Sequence, residues 1–314
     1  MSEEQNIETP RAKVAVVGIV GRTNAGKSTL VNNLVGEKVS IVSPVEQTTR
    51  NTVRGIVSDP RGQLVLLDTP GLHKAVGRLG ALLNRMARRT SAGVDILCVL
   101  FDASQEPQLE DVGWMQRVAR EKPDNVVFVL NKADVPTFRE EPFKEAWAEA
   151  SSAAEDGRPG EPKWVKAVST EENGAKDVLD TLFGMAAEGE PLFPDDVVTD
   201  YPRRFAIADT IREKFLARLH QEVPHELGVA VNEIEERPGS WRVKADVIVN
   251  RESQKPIVLG RGAKGIKTVR HFAERELSGI FGVKVSLELW VRVEPGWMKD
   301  ERLLARMGYL GDVI

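Results

Sequence analysis

Residues 21–28 read Gly21-Arg22-Thr23-Asn24-Ala25-Gly26-Lys27-Ser28, and no other stretch constrains the fold as much. The segment matches G-x-x-x-x-G-K-[ST], follows the short apolar run 13–18 and opens a helix-like stretch over 27–36. In that context it predicts a phosphate-binding loop: backbone N–H groups and a helix N-terminus converge on phosphate oxygens where glycine removes the Cβ. Gly21, Ala25 and Gly26 supply close-lying backbone, and Thr29 is the next position of the helix. Lys27 supplies a mobile cation for the β and γ phosphates, and Ser28 a hydroxyl for Mg²⁺.

The rest of the N-terminal half continues the pattern. Apolar runs at 64–67, 96–101, 126–130 and 164–168 alternate with helix-like stretches at 78–91, 109–121 and 139–154, and a polar loop follows at 155–162. Strands alternating with helices predict an α/β fold, a doubly wound parallel sheet of the P-loop NTPase (Ras-like) kind. The pattern changes after about residue 185. We expect a flexible tail over 1–12, a nucleotide-binding domain over 13–185, a Pro-, Gly- and acid-rich linker over 186–202, and a second domain over 203–314. The second domain reads as a helix at 203–220, strands at 228–236 and 241–250, a glycine-rich loop at 260–265, a helix to about 279 and a strand at 284–293. In that last strand Val285, Leu287, Leu289, Val291 and Val293 share one face, so it is half-buried over a helix layer. A short helix over 298–309 ends at Gly308. We expect Trp290 and Trp297 to pack or to fix this C-terminal segment, in preference to stacking on bases.

The base is specified by Asn131-Lys132-Ala133-Asp134, which follows directly on the run 126–130, 104 residues after Lys27. Guanine presents N1–H and N2–H₂ donors on one edge, and the Asp134 carboxylate accepts both. Adenine offers a ring nitrogen there and would leave the carboxylate unpaired. Asn131 and the Lys132 stem complete the pocket, and Ser169-Thr170 stands where backbone could meet the guanine oxygen. Asp68-Thr69-Pro70-Gly71 follows the run 64–67: Asp68 can hold Mg²⁺ through water, and the Gly71 N–H can meet the γ-phosphate. Between them lies Gln47-Thr48-Thr49-Arg50, in which one threonine can reach Mg²⁺ when the γ-phosphate is present. Thr49 is favoured over Thr48.

Composition excludes several classes. A single cysteine, Cys98, rules out a disulfide framework and a Cys-based zinc site, and its apolar neighbours predict a buried, inert thiol. The four His are scattered, so a His-metal cluster is not expected. No apolar run approaches the roughly 18 residues of a membrane span, and the acidic start of the chain is unlike a leader peptide. The net charge of −4 hides an asymmetry: residues 203–314 carry 20 Lys and Arg against 16 Asp and Glu, and the remainder 23 against 31. Basic side chains concentrate over 251–270, where Arg251, Lys255, Arg261, Lys264, Lys267 and Arg270 face the single acid Glu252.

Taken together, GRTNAGKST (21–29), QTTR (47–50), DTPGLH (68–73), NKAD (131–134) and the basic C-terminal region resemble the Era family of bacterial GTPases over about residues 11–310. The resemblance implies a GTPase with bound GTP or GDP and Mg²⁺, followed by an α+β type II KH domain that binds the 3′ end of 16S ribosomal RNA. It also implies a role in assembly of the small (30S) ribosomal subunit. The protein is expected to be a monomer in the cytoplasm, with peripheral contact at the inner face of the membrane left open. Three departures stand out. Thr23 and Ala25 replace the family's Pro and Val without removing a ligand, and Thr170 follows Ser169 where the family has Ala. In the G-x-x-G loop of the KH domain, the family's second glycine falls on Ala263. Gly262-Ala263-Lys264-Gly265 offers the right spacing in a shifted register, beside Gly260 and Arg261. Arg261, Lys264, Lys267 and Arg270 then stand where phosphates would run. Leu72 occupies the place of the water-orienting glutamine of Ras-like enzymes, which predicts slow intrinsic turnover. By analogy with related GTPases, Asn24 is a candidate K⁺ ligand that would supply positive charge beside Lys27. Two other readings stay open: a GTPase of the same group acting in another RNA process such as tRNA modification, and a P-loop metabolic kinase or ATPase.

Overall fold

The structure, a computed structural model, describes residues 12–45, 48–71, 77–90, 93–154, 157, 159–219, 221 and 223–310. The expected tail up to residue 11, Gln47, Leu72 and residues 155, 156 and 158 of the polar loop lie outside them. The N-terminal half runs β1 (Lys13–Gly21), α1 (Lys27–Val35), β2 (Val53–Asp59), β3 (Gly62–Asp68), α2 (Gly77–Thr90), β4 (Ile96–Asp102), α3 (Leu109–Glu121), β5 (Val126–Asn131), α4 (Glu141–Ser152), β6 (Lys163–Ala167), α5 (Lys176–Met185) and β7 (Ala187–Glu188). The main strand order is β2-β3-β1-β4-β5-β6. All neighbours are parallel except β2 against β3, and β7 pairs antiparallel with the start of β1.

Strands β1, β4 and β5 are apolar on both faces because both faces are covered. On one, Val17, Ile19, Cys98, Leu100 and Val129 pack with Leu30 and Leu34 of α1 and Val178 and Leu182 of α5. On the other, Val99, Phe101, Phe128 and Leu130 meet Trp114 and Val118 of α3 and Phe143 and Trp147 of α4. Burial pushes the Cys98 thiol up to about 12, which matches the expected inert cysteine.

The C-terminal half runs α6 (Arg203–Leu216), β8 (Gly228–Arg237), β9 (Ser240–Val249), α7 (Lys255–Leu259), α8 (Lys264–Phe281), β10 (Lys284–Val293) and α9 (Glu301–Arg306). Its sheet is ordered β10-β9-β8, with β8 antiparallel and β10 parallel to β9. Val269, Ala273 and Leu277 recur every four residues along α8 and pack, with Ile207, Ile211 and Phe215 of α6, on Val243, Val285 and Leu287 of the sheet. No helix among the described residues is long and apolar enough to cross a membrane.

Four features depart from the sequence reading. Strand β2 was not anticipated, because Gly55 and alternating polar residues interrupt its apolar pattern. The short helix α7, with Pro256 in its first turn, adds a turn before the glycine loop. The connection over 186–202 is packed along β2 and β3. The Gln63 carboxamide accepts from Leu192 N at 2.8 Å and Phe193 N at 2.9 Å and donates to Phe193 O at 2.9 Å, and Ile56 N donates to Val198 O at 2.9 Å. Finally, the tryptophan pair divides. Trp297 is buried, with Nε1 donating to Glu226 O at 2.9 Å, whereas Trp290 is 41% exposed. Trp290 belongs to the polar-patterned side of β10, so the expected packing holds for Trp297 alone.

Candidate functional site

The phosphate loop connects β1 to α1 at the carboxyl end of the sheet. Gly26 caps α1 at φ 103°, and a Cβ there would lie 2.3 Å from Asn131 Nδ2, so both conformation and space demand glycine. Lys27 is buried, and its Nζ donates to Arg22 O at 2.8 Å. Burial pulls its pKa down to about 8, and the Asp68 carboxylate only partly offsets this. A buried ammonium that donates to a neutral carbonyl favours an anion beside it. Gly71 lies against the same loop: a Cβ there would come within 2.7 Å of Thr23 N and 2.8 Å of Lys27 Nζ.

Ser28, Thr49 and Asp68 converge. Ser28 Oγ donates to Asp68 Oδ2 at 2.6 Å and lies 2.9 Å from Thr49 Oγ1. Thr48 turns away, its hydroxyl donating to Val45 O at 2.5 Å. The geometry therefore selects Thr49 from the two threonines. Asp68 is fully buried, and burial raises its pKa against the Ser28 hydrogen bond and the Lys27 charge. Its Oδ1 is a buried oxygen with no hydrogen-bond partner. Two hydroxyls and one carboxylate are hard oxygen donors, a set that fits Mg²⁺ completing its shell with phosphate and water. Among the described residues there is no cluster of three His, Cys, Asp or Glu that could hold a metal without such help.

Beyond the loop, a cavity of about 450 Å³ is bounded by Asn24, Lys27, Ser28 and Thr29 at one end and by Lys132, Asp134, Ser169 and Thr170 at the other. Asn131 lines this cavity and also ties its walls together. Its Nδ2 donates to Ala25 O at 2.8 Å, and its Oδ1 accepts from Ser169 N at 3.1 Å and Ser169 Oγ at 2.9 Å. The Ser169 N–H is thus already committed, and Thr170 is the exposed member of the pair at the rim. Asp134 is exposed, as a carboxylate awaiting donors should be. Asn24, at φ 61°, donates from Nδ2 to Pro44 O at 3.0 Å, linking the phosphate loop to the segment before Thr48.

The glycine loop of the second half resolves its register. The turn between α7 and α8 is Gly260-Arg261-Gly262-Ala263; Lys264 and Gly265 already belong to the first turn of α8. Gly260 stands at φ 69°, where a Cβ would meet Gly265 N at 2.8 Å, and a Cβ on Gly265 would meet Leu259 O at 2.9 Å. The two glycines therefore let α7 and α8 cross at backbone contact. Ala263 takes φ 58°, the left-handed place where the family has glycine. Of the frame 262–265, only Gly262 and Ala263 therefore lie in the turn. Arg261, Lys264, Lys267 and Arg270 are all exposed at or beyond this turn. Beside them Ile257 is 53% exposed, an apolar neighbour that its position in an unanticipated helix had hidden.

The two halves meet around Thr48–Asn51; Thr48 and Arg50 belong to the QTTR segment (47–50), which as a sequence gives no sign of a joining role. Arg50 is 1% exposed; Nη1 donates to Leu227 O at 2.8 Å and Nη2 to His225 O at 2.9 Å. Its guanidinium stands 5.8 Å from the Trp297 ring and 5.6 Å from the Tyr309 ring. Burial and the neighbouring Arg212 guanidinium lower its pKa to about 10, which leaves it cationic at neutral pH. Arg212 of α6, also 1% exposed, donates to Thr48 O. Asn51 donates to the Tyr201 hydroxyl at 2.6 Å, which donates in turn to Asp209 Oδ2 at 2.7 Å. Helix α2 adds Leu79 and Leu83 to a cluster with Trp297, Leu304, Met307 and Tyr309.

A phosphate loop, three converging oxygen donors and an N-K-x-D pocket on a doubly wound sheet, joined to a three-stranded sheet with a glycine turn, define a P-loop GTPase fused to a KH domain. Family models agree in both halves: one described as a 50S ribosome-binding GTPase matches residues 16–132, and one for the KH domain matches residues 222–298. The chain is 35% identical over 302 residues to GTPase Era of Nostoc sp., covering 96% of this chain and 90% of that one. It is 37% identical over 295 residues to GTPase Era of Geotalea uraniireducens, covering 93% and 96%. Two solved structures superpose on 95% of the chain at 33% identity and match 99% of their own length. They are an Aquifex aeolicus Era variant bound to GDP and AlF₄⁻, with TM-score 0.85, and Era in complex with MgGDPNP and nucleotides 1506–1542 of 16S ribosomal RNA, with TM-score 0.86. The chain belongs to the GTPase Era family.

Proposed function

We propose that this protein hydrolyses GTP to GDP and phosphate and uses the nucleotide state to control its grip on the 3′ end of 16S ribosomal RNA during assembly of the small ribosomal subunit. One observation carries the reading: within four consecutive residues, Thr49 faces Ser28 at 2.9 Å while Thr48, Arg50 and Asn51 are bonded to the RNA-binding half, Asn51 through Met307 O. A backbone tied at neighbouring residues to the phosphate loop's Ser28 and to the KH domain cannot rearrange at one without straining the other.

Lys27 and the Gly71 N–H are placed to meet the β and γ phosphates and Asp134 to accept the guanine edge; Ser28, Thr49 and Asp68 would hold Mg²⁺, which when bound would supply positive charge beside the phosphates. Asn24 is the K⁺ ligand of this scheme; equal turnover in K⁺ and Na⁺ buffers would remove it. Arg261, Lys264, Lys267 and Arg270 neutralise RNA phosphates around the turn 260–263. The test is RNA affinity measured with a non-hydrolysable GTP analogue and with GDP. The two states should differ, and Lys264→Glu with Lys267→Glu should reduce RNA affinity and lower the salt slope by about two while leaving GTP affinity intact. RNA affinity identical in both nucleotide states, or loss of GTP binding together with RNA binding, would overturn the reading.

A further inference from the structure

Asp102 ends β4 and lies in register with Asn131 of β5. Its side chain is only 4% exposed, yet donors converge on it from three directions. Lys132 Nζ lies 2.7 Å and Gln105 Nε2 2.9 Å from Oδ2, and the Ser104 hydroxyl and backbone N–H both donate to Oδ1. On the far side, Arg22 Nη2 stands 3.7 Å from Oδ2. Burial pushes the carboxyl up, but the bonds from Lys132 and Ser104 outweigh it and hold the pKa below the usual carboxylate range.

Lys132 is thereby fixed at both ends. Its backbone stands at φ 64°, a conformation L-residues rarely adopt, and its ammonium is pinned by a nearly enclosed carboxylate. Between these points the methylene stem forms a wall of the cavity that receives the base. A free lysine side chain would have to be ordered when the base arrives, at a cost in rotamer entropy. One held in place before binding avoids that cost.

We propose that Asp102 is the positioning residue of the base pocket: by anchoring the Lys132 ammonium it presents the lysine stem as a preformed apolar face to the purine ring. This rests on the guanine-nucleotide reading above. The neighbouring Arg22 contact is longer, and Arg22 also engages the Asp111 carboxylate at 3.4 Å. The influence of Asp102 therefore falls on the base and not on the phosphates.

The test is calorimetry of GDP and of inorganic pyrophosphate, each with Mg²⁺, on the full chain and on Asp102→Asn, Lys132→Ala and the double variant. Asp102→Asn should weaken GDP roughly tenfold, leave pyrophosphate within about twofold, and add nothing to Lys132→Ala. Lys132→Met keeps the stem without the ammonium and tests the same contact should Asp102→Asn not fold; it too should lose GDP affinity while keeping pyrophosphate. A parallel loss of pyrophosphate, losses that add in the double variant, or GDP binding indifferent to both single changes would overturn the role of Asp102. Failure of the unaltered chain to bind GDP would instead overturn the nucleotide reading itself.

Discussion

At Ala263 the backbone stands at φ 58° with a methyl group that left-handed geometry disfavours. The strain for an L-residue there is about 1–2 kcal/mol, partly offset by the greater freedom glycine has when unfolded. Ala263→Gly should therefore raise stability by about 0.5–1 kcal/mol in urea denaturation, and a measured decrease would show that the alanine methyl packs productively. Asp134 offers a second test. Asp134→Asn should exchange guanine for xanthine preference, because an amide donates where xanthine accepts; nucleotide competition would show it, and unchanged guanine preference would count against the pocket. Residues such as Lys27, Ser28 and Asp134 were legible from sequence because each is tied to a fixed local pattern that carries its chemistry along. The register of 260–263 was not legible in the same way. It depends on where α7 ends and on the contact between Gly260 and Gly265, and neither leaves a spacing signature. Asn131 lines the pocket as its motif implies, and its three bonds also make it a tie between loops, a second role that only coordinates show.

Among the elements, the segment over 186–202 behaves as an added edge. Gln63 is 1% exposed and engages Leu192 and Phe193 through three bonds. Gln63→Ala would leave those backbone groups unsatisfied, which typically costs about 1–3 kcal/mol each when the group stays buried; because Phe193 is partly exposed and water can reach it, a net loss of about 2 kcal/mol is expected. Chemical denaturation checks this, and a loss below about 0.5 kcal/mol would mean the segment is only loosely held. The strongly periodic elements β1, β4, β5 and α8 could be read from the chain, because burial on both faces of a strand, or on one face of a helix, writes a repeat into the residues themselves. β2 could not, since an edge strand covered by a later segment needs no continuous apolar pattern. The composition of 186–202 suggested a linker for a related reason: the bonds that hold Leu192, Phe193 and Val198 go through backbone groups, which every residue has, so proline- and acid-rich chain can still be well packed.

For the whole molecule, the critical junction is the one around Arg50. Removing its side chain leaves the carbonyls of His225 and Leu227 without their donors and the Trp297 and Tyr309 rings without the cation between them. Arg50→Ala should keep guanine affinity, since Arg50 does not line the nucleotide cavity, and should make RNA affinity the same with a GTP analogue as with GDP. Fluorescence anisotropy with a labelled 3′-terminal 16S oligonucleotide would report this; a preserved difference between nucleotide states would place the coupling elsewhere, for instance in the α2 contact. The charge asymmetry between the two halves was visible in composition, but the arginines that join them were not, because an arginine satisfied by distant carbonyls looks in sequence like any surface cation.

That same guanidinium, lodged between two aromatic rings and a pair of carbonyls, has an obligation in the opposite direction. Whatever free energy a γ-phosphate lends to the hold on RNA, a seated strand must return to the hold on nucleotide, because the cycle of states has to close. On the function proposed above, the RNA strand is therefore also an effector, and nucleotide affinity should change when the strand is present.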